Sequence, residues 1–502
     1  MKIINSIVKT VSMITLFSII TRFLGFIFRI FLSRKLGAEG MGIYQIASTI
    51  VGVFMTLVAS GLPLTTAKMV AKLNNDTKIK EKNIVTTAST VIAIVISVIS
   101  CLILVIGQKG LGLIIKNDTV VDLIVIMSPA LIFSAVYAIF RGALWGQNMF
   151  FWVSFTEFLE QVIRMLLALL VCGRILNIIE CTKAVAFTFT LTCLISSIIV
   201  IIVYFIKGGK LTFKKGEYKN IIKSATPITG VRLASSFVQP LTALLIPFLL
   251  CLIGFTNSEA VSVYGVIMGM TFPLLFAPLS IVGSLSMVLI PKISILNADK
   301  KYDTIADNIN QSIRFALFLA VLIIPLYLSC GNLIGVVLYD NIQAGIYLQL
   351  SAVCILPLVL NNITSSVLNA LNLEVKSFIN YIIGTVVMFI SLITLTFVIK
   401  ENAIIVSFFL STATTELLNM RMIQKKVPNV MHDLPILLLK YALIILPTSV
   451  LGHLISNALY HFLPAFIAGL IGGGFSIIST IILVHVFNLY NIKLYKKQKA
   501  LH

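Results

Sequence analysis

Two arginines interrupt the first apolar segment of this chain, Arg22 and Arg29. Arg22 follows Lys9 by thirteen residues, which places it roughly 20 Å along a helix that passes through Lys9. Arg29 lies seven residues further on, and Ser18 and Gly25 share the same helical face. Guanidinium is the side-chain group best suited to bidentate phosphate contact. The spacing therefore predicts that this polar face binds an anionic ligand.

Two further arginines lie within later apolar segments. Arg232 is predicted to join the anion-binding site, whereas Arg164 follows Glu160 at i, i+4 spacing and is predicted to form a structural ion pair with it. An arginine at the centre of a membrane helix costs about 2.5–3.5 kcal/mol, so each position needs a reason. For Arg29 an alternative is extension of the side chain to the outer membrane interface. Arg22 lies too deep for that alternative.

Patterns that would indicate an enzyme or a metal site are absent from the sequence. There is no GxxxxGK[ST] phosphate loop, no HExxH, and no grouping of Ser, His and Asp or of Cys and His. The 7 cysteines form no CxxC, and no histidine has metal-ligand spacing. We therefore expect no catalytic residue, no metal and no cofactor.

The elements that carry these side chains are predicted membrane helices. Mean hydropathy is +1.06, with 59% hydrophobic and 11% charged residues, a mix that a water-soluble fold could not bury. A span needs about 20 apolar residues, and the first run is too long for a signal peptide and lacks a cleavage site. The predicted fold is an all-α polytopic membrane protein with about fourteen helices: 11–33, 42–67, 84–106, 121–145, 154–173, 184–206, 224–253, 260–290, 315–338, 345–371, 377–399, 402–420, 434–455 and 463–489.

Lysine and arginine are unevenly divided between the two predicted faces of the membrane. With the N-terminus inside, 27 of the 38 basic residues fall in inner segments or near the inner ends of spans, 7 in outer segments and 4 elsewhere within spans. Basic residues favour the cytoplasmic side, so both termini of this cell-membrane protein are predicted to be cytoplasmic. The net charge of +20 then indicates contact with membrane lipids, and no nucleic-acid partner is needed.

An internal duplication divides the chain. Residues 7–15 resemble residues 221–229, and Glu39 with Tyr44 recurs as Glu259 with Tyr264. We predict an N-terminal six-helix lobe at 1–206, a basic cytoplasmic linker at 207–223, a second six-helix lobe at 224–422, and two extra helices with a basic tail at 423–502. The two lobes would be parallel repeats, an arrangement typical of transporters. Six prolines in or directly after predicted spans seven and eight indicate bends there.

Several motifs resemble one known family. They are Thr21–Phe26, Leu36–Gln45, Phe140–Gly142 with Gly146–Asn148, Glu160–Arg164, Tyr264–Gly265, Gly269–Met270 and Pro273–Leu275. The chain resembles the stage V sporulation protein B group, within the polysaccharide transporter branch of the multidrug/oligosaccharidyl-lipid/polysaccharide exporter superfamily, over almost its whole length. That resemblance implies fourteen helices in two six-helix lobes, a role in spore cortex peptidoglycan synthesis, and similarity to lipid II flippases, which translocate undecaprenyl-pyrophosphate-linked sugars.

The family's cavity arginines are matched only in part. In those flippases arginines of helices one, two and eight line the cavity. Arg22 matches the first-helix motif, and Arg29 matches with a spacing shifted by one residue. The second span has no arginine, and Arg232 lies in the seventh.

The sequence leaves three functions open. The leading one is a flippase for a lipid-linked saccharide pyrophosphate, either a lipid II-like peptidoglycan precursor or another polysaccharide unit. A cation-coupled drug exporter should carry a deep carboxylate in its first or seventh helix. Apart from Asp122 at the outer end of span 121–145, the carboxylates within predicted spans are Glu157, Glu160 and Glu416. A membrane scaffold that positions cell-wall synthesis enzymes is the third.

Overall fold

The chain folds into helices joined by short turns. The computed structural model describes residues 2–73, 79–175, 177–214, 217–431, 433–487 and 489. Their secondary structure is helical and contains no strand, which confirms the predicted all-α fold. The basic tail predicted beyond residue 489, and residues 215 and 216 of the predicted linker, lie outside the described residues.

The described residues form twenty α-helices. They are α1 Lys2–Ala59, α2 Gly61–Lys72, α3 Ile79–Ile106, α4 Gln108–Ile115, α5 Asp118–Met127, α6 Ala130–Gly146, α7 Phe150–Cys172, α8 Ile178–Ile206, α9 Glu217–Ser236, α10 Val238–Leu252, α11 Asn257–Tyr264, α12 Phe272–Phe276, α13 Leu279–Ala298, α14 Tyr302–Tyr339, α15 Ile342–Ser351, α16 Ile355–Ala370, α17 Glu374–Ile399, α18 Ala403–Lys426, α19 Leu434–Tyr460 and α20 Ala465–Val486. A π-helix at Gly265–Thr271 and 3₁₀ turns at Ala352–Cys354 and Lys400–Asn402 join some of them.

Twelve helical stretches of the described residues are long and apolar enough to cross a membrane. Ser12–Lys72 and Glu374–Lys426 each contain two of the predicted spans, whereas predicted span 260–290 is divided into two stretches. Predicted span 154–173 is not among the twelve, although helix α7 covers it, because three charged side chains interrupt α7. A count of about fourteen crossings agrees with this distribution.

The first two predicted spans meet at a kink rather than at a loop. Helix α1 continues for 58 residues, and Gly37, with φ 64° and ψ −169°, is its non-helical residue. That φ lies where glycine is favoured because it has no Cβ. We name the stretches before and after Gly37 the first and second arms of α1.

Predicted spans seven and eight are broken, as their prolines indicated. Span seven divides into α9 and α10 at Phe237, with Pro240 in the first turn of α10. Span eight runs through α11, the π-helix, α12 and α13, with Pro278 directly before α13. Both breaks fall where a proline ring removes a backbone donor.

The chain packs as two compact units. The first comprises residues 1–251 and 255–265, and the second residues 252–254 and 266–502. In the first unit α9 packs on α1, α2 and α3, around a core of small and branched apolar residues. In the second, α14 packs against α13, α15, α16, α19 and α20. The two units are defined by packing, whereas the two predicted lobes are defined by sequence repetition. The units therefore do not test the lobe boundaries, which stay a prediction.

Two glycines set the contact between the second arm of α1 and the start of span eight. A Cβ added to Gly42 would lie 2.0 Å from the Val261 carbonyl oxygen, and one added to Gly265 would lie 2.2 Å from the Ala38 carbonyl oxygen. Only a residue without a side chain fits where backbone meets backbone at this distance. Small residues permit such close approach between membrane helices.

Replacing either glycine should therefore destabilise the first unit. We expect Gly42→Ala and Gly265→Ala each to cost about 1–3 kcal/mol, the usual range for overpacking. Fluorescence-detected size exclusion after heating would show a lowered apparent Tm. Gly110→Ala is the matched control, because a Cβ there meets nothing within 4 Å. An unchanged Tm for Gly42→Ala and Gly265→Ala would show that the backbones can separate at no cost.

Candidate functional site

The predicted anion-binding face lies on the first arm of α1, beside α7. A Cβ added to Gly25 would lie 3.8 Å from Nε2 of Gln161. Eight residues earlier, the Phe17 ring lies 5.9 Å from the ring of Phe151 and 5.8 Å from that of Phe158. Residue numbers rise together along both helices, so the arm and α7 run parallel. They are predicted spans one and five, and two odd-numbered spans cross the membrane in the same direction.

Arg22 and Arg29 flank Gly25 on this face. Helical geometry places them about 4.5 Å before and about 6 Å after Gly25, both within about 60° of it around the helix axis. The Arg22 side chain is exposed and forms no ion pair with a described residue, whereas Arg29 and Ser18 are half-buried. Helical geometry therefore keeps the four predicted residues on one face of α1, and Gly25 of that face lies beside α7.

Helix α7 contributes a second polar set. Glu160 and Arg164 form an ion pair, and their side chains are 20% and 24% exposed. The Arg164 guanidinium also lies 5.3 Å from the centre of the Phe189 ring. Within the described part of the chain, Nε of Arg164 and Nε2 of Gln161 are buried without a hydrogen-bond partner. Unmet donors of this kind are costly, and Gln161 lies next to Gly25 of the predicted anion-binding face.

A second ion pair joins α7 to α6. Arg141 lies 2.5 Å from Glu157, with the two side chains 31% and 48% exposed, and its guanidinium lies 5.9 Å from the centre of the Tyr137 ring. Arg141 lies near the inner end of predicted span 121–145, and the sequence indicates no partner for Glu157. Sixteen residues and a turn separate the two, so no spacing rule within one helix could have found the pair.

Positive charge exceeds negative charge in this region. Arg22, Arg29, Arg141 and Arg164 lie on α1, α6 and α7 with two glutamates, Glu157 and Glu160. The formal surplus is two positive charges. We call these six residues, with Gln161, the arginine cluster. Its chemistry suits a ligand that carries two negative charges, and guanidinium forks match phosphate oxygens.

Arg232 has a different position. It lies on α9 with an exposed side chain, and its carbonyl accepts a hydrogen bond from the Ser235 hydroxyl at 2.8 Å. In the described structure its guanidinium has no ion pair and no hydrogen bond to the arginine cluster. Its membership of the same site stays a prediction.

The third carboxylate of the predicted spans belongs to the second unit. Glu416 of α18 is buried, and its Oε2 accepts a hydrogen bond from the Thr364 hydroxyl at 2.6 Å. Asn419, three residues later, links Asn380 and Asn361 through its side-chain amide. Among the described residues no group of three or more His, Cys, Asp or Glu side chains could hold a metal ion.

Comparison with known proteins identifies relatives along most of the chain. A family model described as polysaccharide biosynthesis protein matches residues 7–297. Stage V sporulation protein B of Bacillus subtilis (strain 168) is 25% identical over 387 residues, covering 73% of each chain. Lipid II flippase MurJ of the same organism is 22% identical over 429 residues, covering 76% of each chain. A solved inward closed structure of lipid II flippase MurJ superposes with a TM-score of 0.69 at 15% identity, covering 94% of this chain and 98% of that one.

The two ion pairs of α7 should differ in their contribution to stability. Glu160→Gln leaves the more buried guanidinium without its carboxylate and should cost more than about 1 kcal/mol, approaching the roughly 3–5 kcal/mol of a fully buried broken pair. Glu157→Gln breaks the more exposed pair and should cost less than about 1 kcal/mol. The apparent Tm of the two variants measures the difference. Equal losses would contradict the burial argument.

Proposed function

The chain belongs to the polysaccharide biosynthesis protein family, and we propose that it is a flippase that moves an undecaprenyl-pyrophosphate-linked saccharide across the cell membrane. The observation that carries the proposal is the surplus of arginine in the arginine cluster. A pyrophosphate diester has two negative charges, which this surplus would balance. The similarity to lipid II flippase MurJ supports the same class of cargo.

In this proposal Arg22 and Arg29 hold the pyrophosphate. Their guanidinium groups donate to its oxygens, and the buried Nε2 of Gln161 and Nε of Arg164 are further donors at the edge of the site. Gly25 keeps the space between the two arginines open, and the Ser18 hydroxyl extends the face toward the N-terminus. Arg232 would meet the ligand from α9.

The protein's residues bind and reorient the ligand and break none of its bonds. The proposed cycle is alternating access: the lipid-linked saccharide binds from the cytoplasmic side, the protein changes conformation, and release follows outside. A membrane potential, an ion gradient or consumption of the product would drive it. Each state needs a different affinity for the ligand, since equal affinity shifts no equilibrium.

The narrower assignment concerns the saccharide. Similarity to stage V sporulation protein B supports a lipid II-like peptidoglycan precursor destined for the spore cortex. Membrane lipids would surround the fold, and cell-wall synthesis enzymes would use the released cargo. In the proposed topology both termini are cytoplasmic, as the distribution of lysine and arginine indicates.

Arg22→Ala should slow transport. A lost hydrogen bond between charged partners is worth about 1.5–3 kcal/mol, which corresponds to a loss of about tenfold to a hundredfold in affinity. The measurement is flipping of fluorescent lipid II by the purified full-length protein in liposomes. Arg22→Lys keeps the charge without the bidentate fork and should lie between Arg22→Ala and the unchanged protein.

Arg174→Ala is the matched control, because Arg174 is exposed beyond the end of α7. It should flip lipid II at the unchanged rate. Normal flipping by Arg22→Ala would remove Arg22 from the site. An unchanged protein that flips nothing would overturn the flippase proposal and favour a scaffold.

The proposed topology has its own test. In a background with the native cysteines replaced, Lys109→Cys should react with a membrane-impermeant maleimide in intact cells. Lys301→Cys should react only after permeabilisation, because it follows an even number of predicted crossings. Both lysines are exposed: Lys109 lies on the short helix α4 between predicted spans 84–106 and 121–145, and Lys301 lies directly before α14. The reverse labelling pattern would invert the topology.

A further inference from the structure

A neutral polar cavity lies in the first unit, apart from the arginine cluster. Its volume is about 180 Å³, and it is bounded by the second arm of α1 and by the junction of α9 and α10. Six of its eight lining residues are polar and none is charged. The polar ones used below are Gln45, Ser48 and Thr56 from α1, with Ser236 and Gln239 from the junction.

The cavity coincides with the break in span seven. Helix α9 ends at Ser236 and α10 begins at Val238. Pro240 has no N–H, so it cannot donate the i+4 hydrogen bond to the Ser236 carbonyl. Irregular backbone at membrane depth is tolerated where it lines a cavity, and interrupted helices mark ligand sites in transporters. The break therefore points to a ligand here.

The hydrogen-bonding state of the lining defines what that ligand must offer. The Ser48 hydroxyl donates to the Tyr44 carbonyl at 2.7 Å, that of Thr56 to Gly52 at 2.9 Å, and that of Ser236 to Leu233 at 2.9 Å. Each of these three hydroxyl groups already donates its proton within the protein, so its oxygen can only accept a hydrogen bond from a ligand. A ligand must therefore bring several donors.

The two carboxamides complete the set. No hydrogen bond joins the side chain of Gln45 or Gln239 to another described residue, and Gln45 is half-buried. Each amide can donate through its NH₂ group and accept through its oxygen. The cavity thus offers acceptors in excess of donors, all of them neutral. This pattern complements a ring that carries several hydroxyl groups.

The depth of the cavity matches that of the arginine cluster. Gln45 lies eight residues after Gly37 and Arg29 eight residues before it, about 12 Å along each arm at 1.5 Å per residue. Thr56 and Ser18 are likewise nineteen residues from Gly37 on either side. Since the two arms are separate predicted crossings that meet at Gly37, equal distances correspond to similar depths.

We propose that this cavity is a subsite for one neutral sugar ring of the lipid-linked saccharide. The inference rests on the proposed function and adds to it the part of the ligand that the arginine cluster does not recognise. The lining has no positive charge to bind an anion. It also has few apolar side chains to contact an apolar compound. The two NH₂ groups and the lack of a carboxylate disfavour a metal cation.

The test compares two ligands on the full-length protein in phosphatidylglycerol–phosphatidylcholine nanodiscs. One is undecaprenyl pyrophosphate, and the other is the same lipid carrying a disaccharide. Gln45→Leu and Gln239→Leu keep the side-chain volume and remove the hydrogen bonds. Each should weaken binding of the disaccharide lipid about threefold to tenfold. Each should change binding of undecaprenyl pyrophosphate less than twofold. Gln108→Leu, an exposed change on α4, is the matched control.

The outcomes separate the subsite from the proposed function. Arg22→Ala should weaken both ligands, because both carry the pyrophosphate. If the glutamine variants bind the disaccharide lipid as tightly as the unchanged protein, the cavity holds water only and the subsite is refuted. Equal losses for both ligands would also refute it. If the unchanged protein binds neither lipid, the proposed function itself fails.

Discussion

Backbone N–H and C=O groups find no hydrogen-bond partner in the hydrocarbon of a membrane. The helical fold of this protein and the position of its polar groups both depend on this constraint. Long helices satisfy the requirement within each segment, so exceptions stand out. The break at Phe237 is one of them, since Pro240 leaves the Ser236 carbonyl without its regular donor. The hydroxyls of Ser235 and Ser236 donate to the carbonyls of Arg232 and Leu233, so they cannot serve the freed one. The polar cavity lies at this break, with Ser236 and Gln239 in its lining.

The same shortage of partners governs charge. Arg164 has Glu160 and the face of Phe189, and Arg141 has Glu157 and Tyr137. Helix α7 can lie among apolar helices because its charges meet others inside the first unit. By formal charge, the arginine cluster holds four arginines and two glutamates. In the proposed function, a ligand with two negative charges balances this formal surplus, so the proposed cargo is a pyrophosphate and not a neutral compound.

Local periodicity accounts for what the sequence could predict. Segment length and hydropathy found the spans, and the i, i+4 rule found the partner of Arg164, because both depend on neighbours along one helix. The pair of Arg141 with Glu157 depends on how α6 and α7 pack, and no pattern within either helix records it. The expected connection between predicted spans 11–33 and 42–67 is a kink at Gly37, because one residue with positive φ suffices to redirect a helix. Prolines indicated that span seven bends, but the residue at which it breaks depends on packing against α1.

Recognition of phosphate alone cannot distinguish the cargo from the membrane, because the surrounding phospholipids also carry phosphate. Specificity is a difference of affinities, and an arginine cluster by itself would bind an abundant lipid headgroup as readily as a rare cargo. The two proposed sites, which differ in chemistry and lie at similar depth, would change this balance. A ligand with both a pyrophosphate and a sugar gains from each site, and linking the two raises the effective concentration of the second contact. A phospholipid reaches one site only. In the proposed function, the kink at Gly37 contributes directly to selectivity, because it carries the arginine face and the neutral cavity on two arms of one helix.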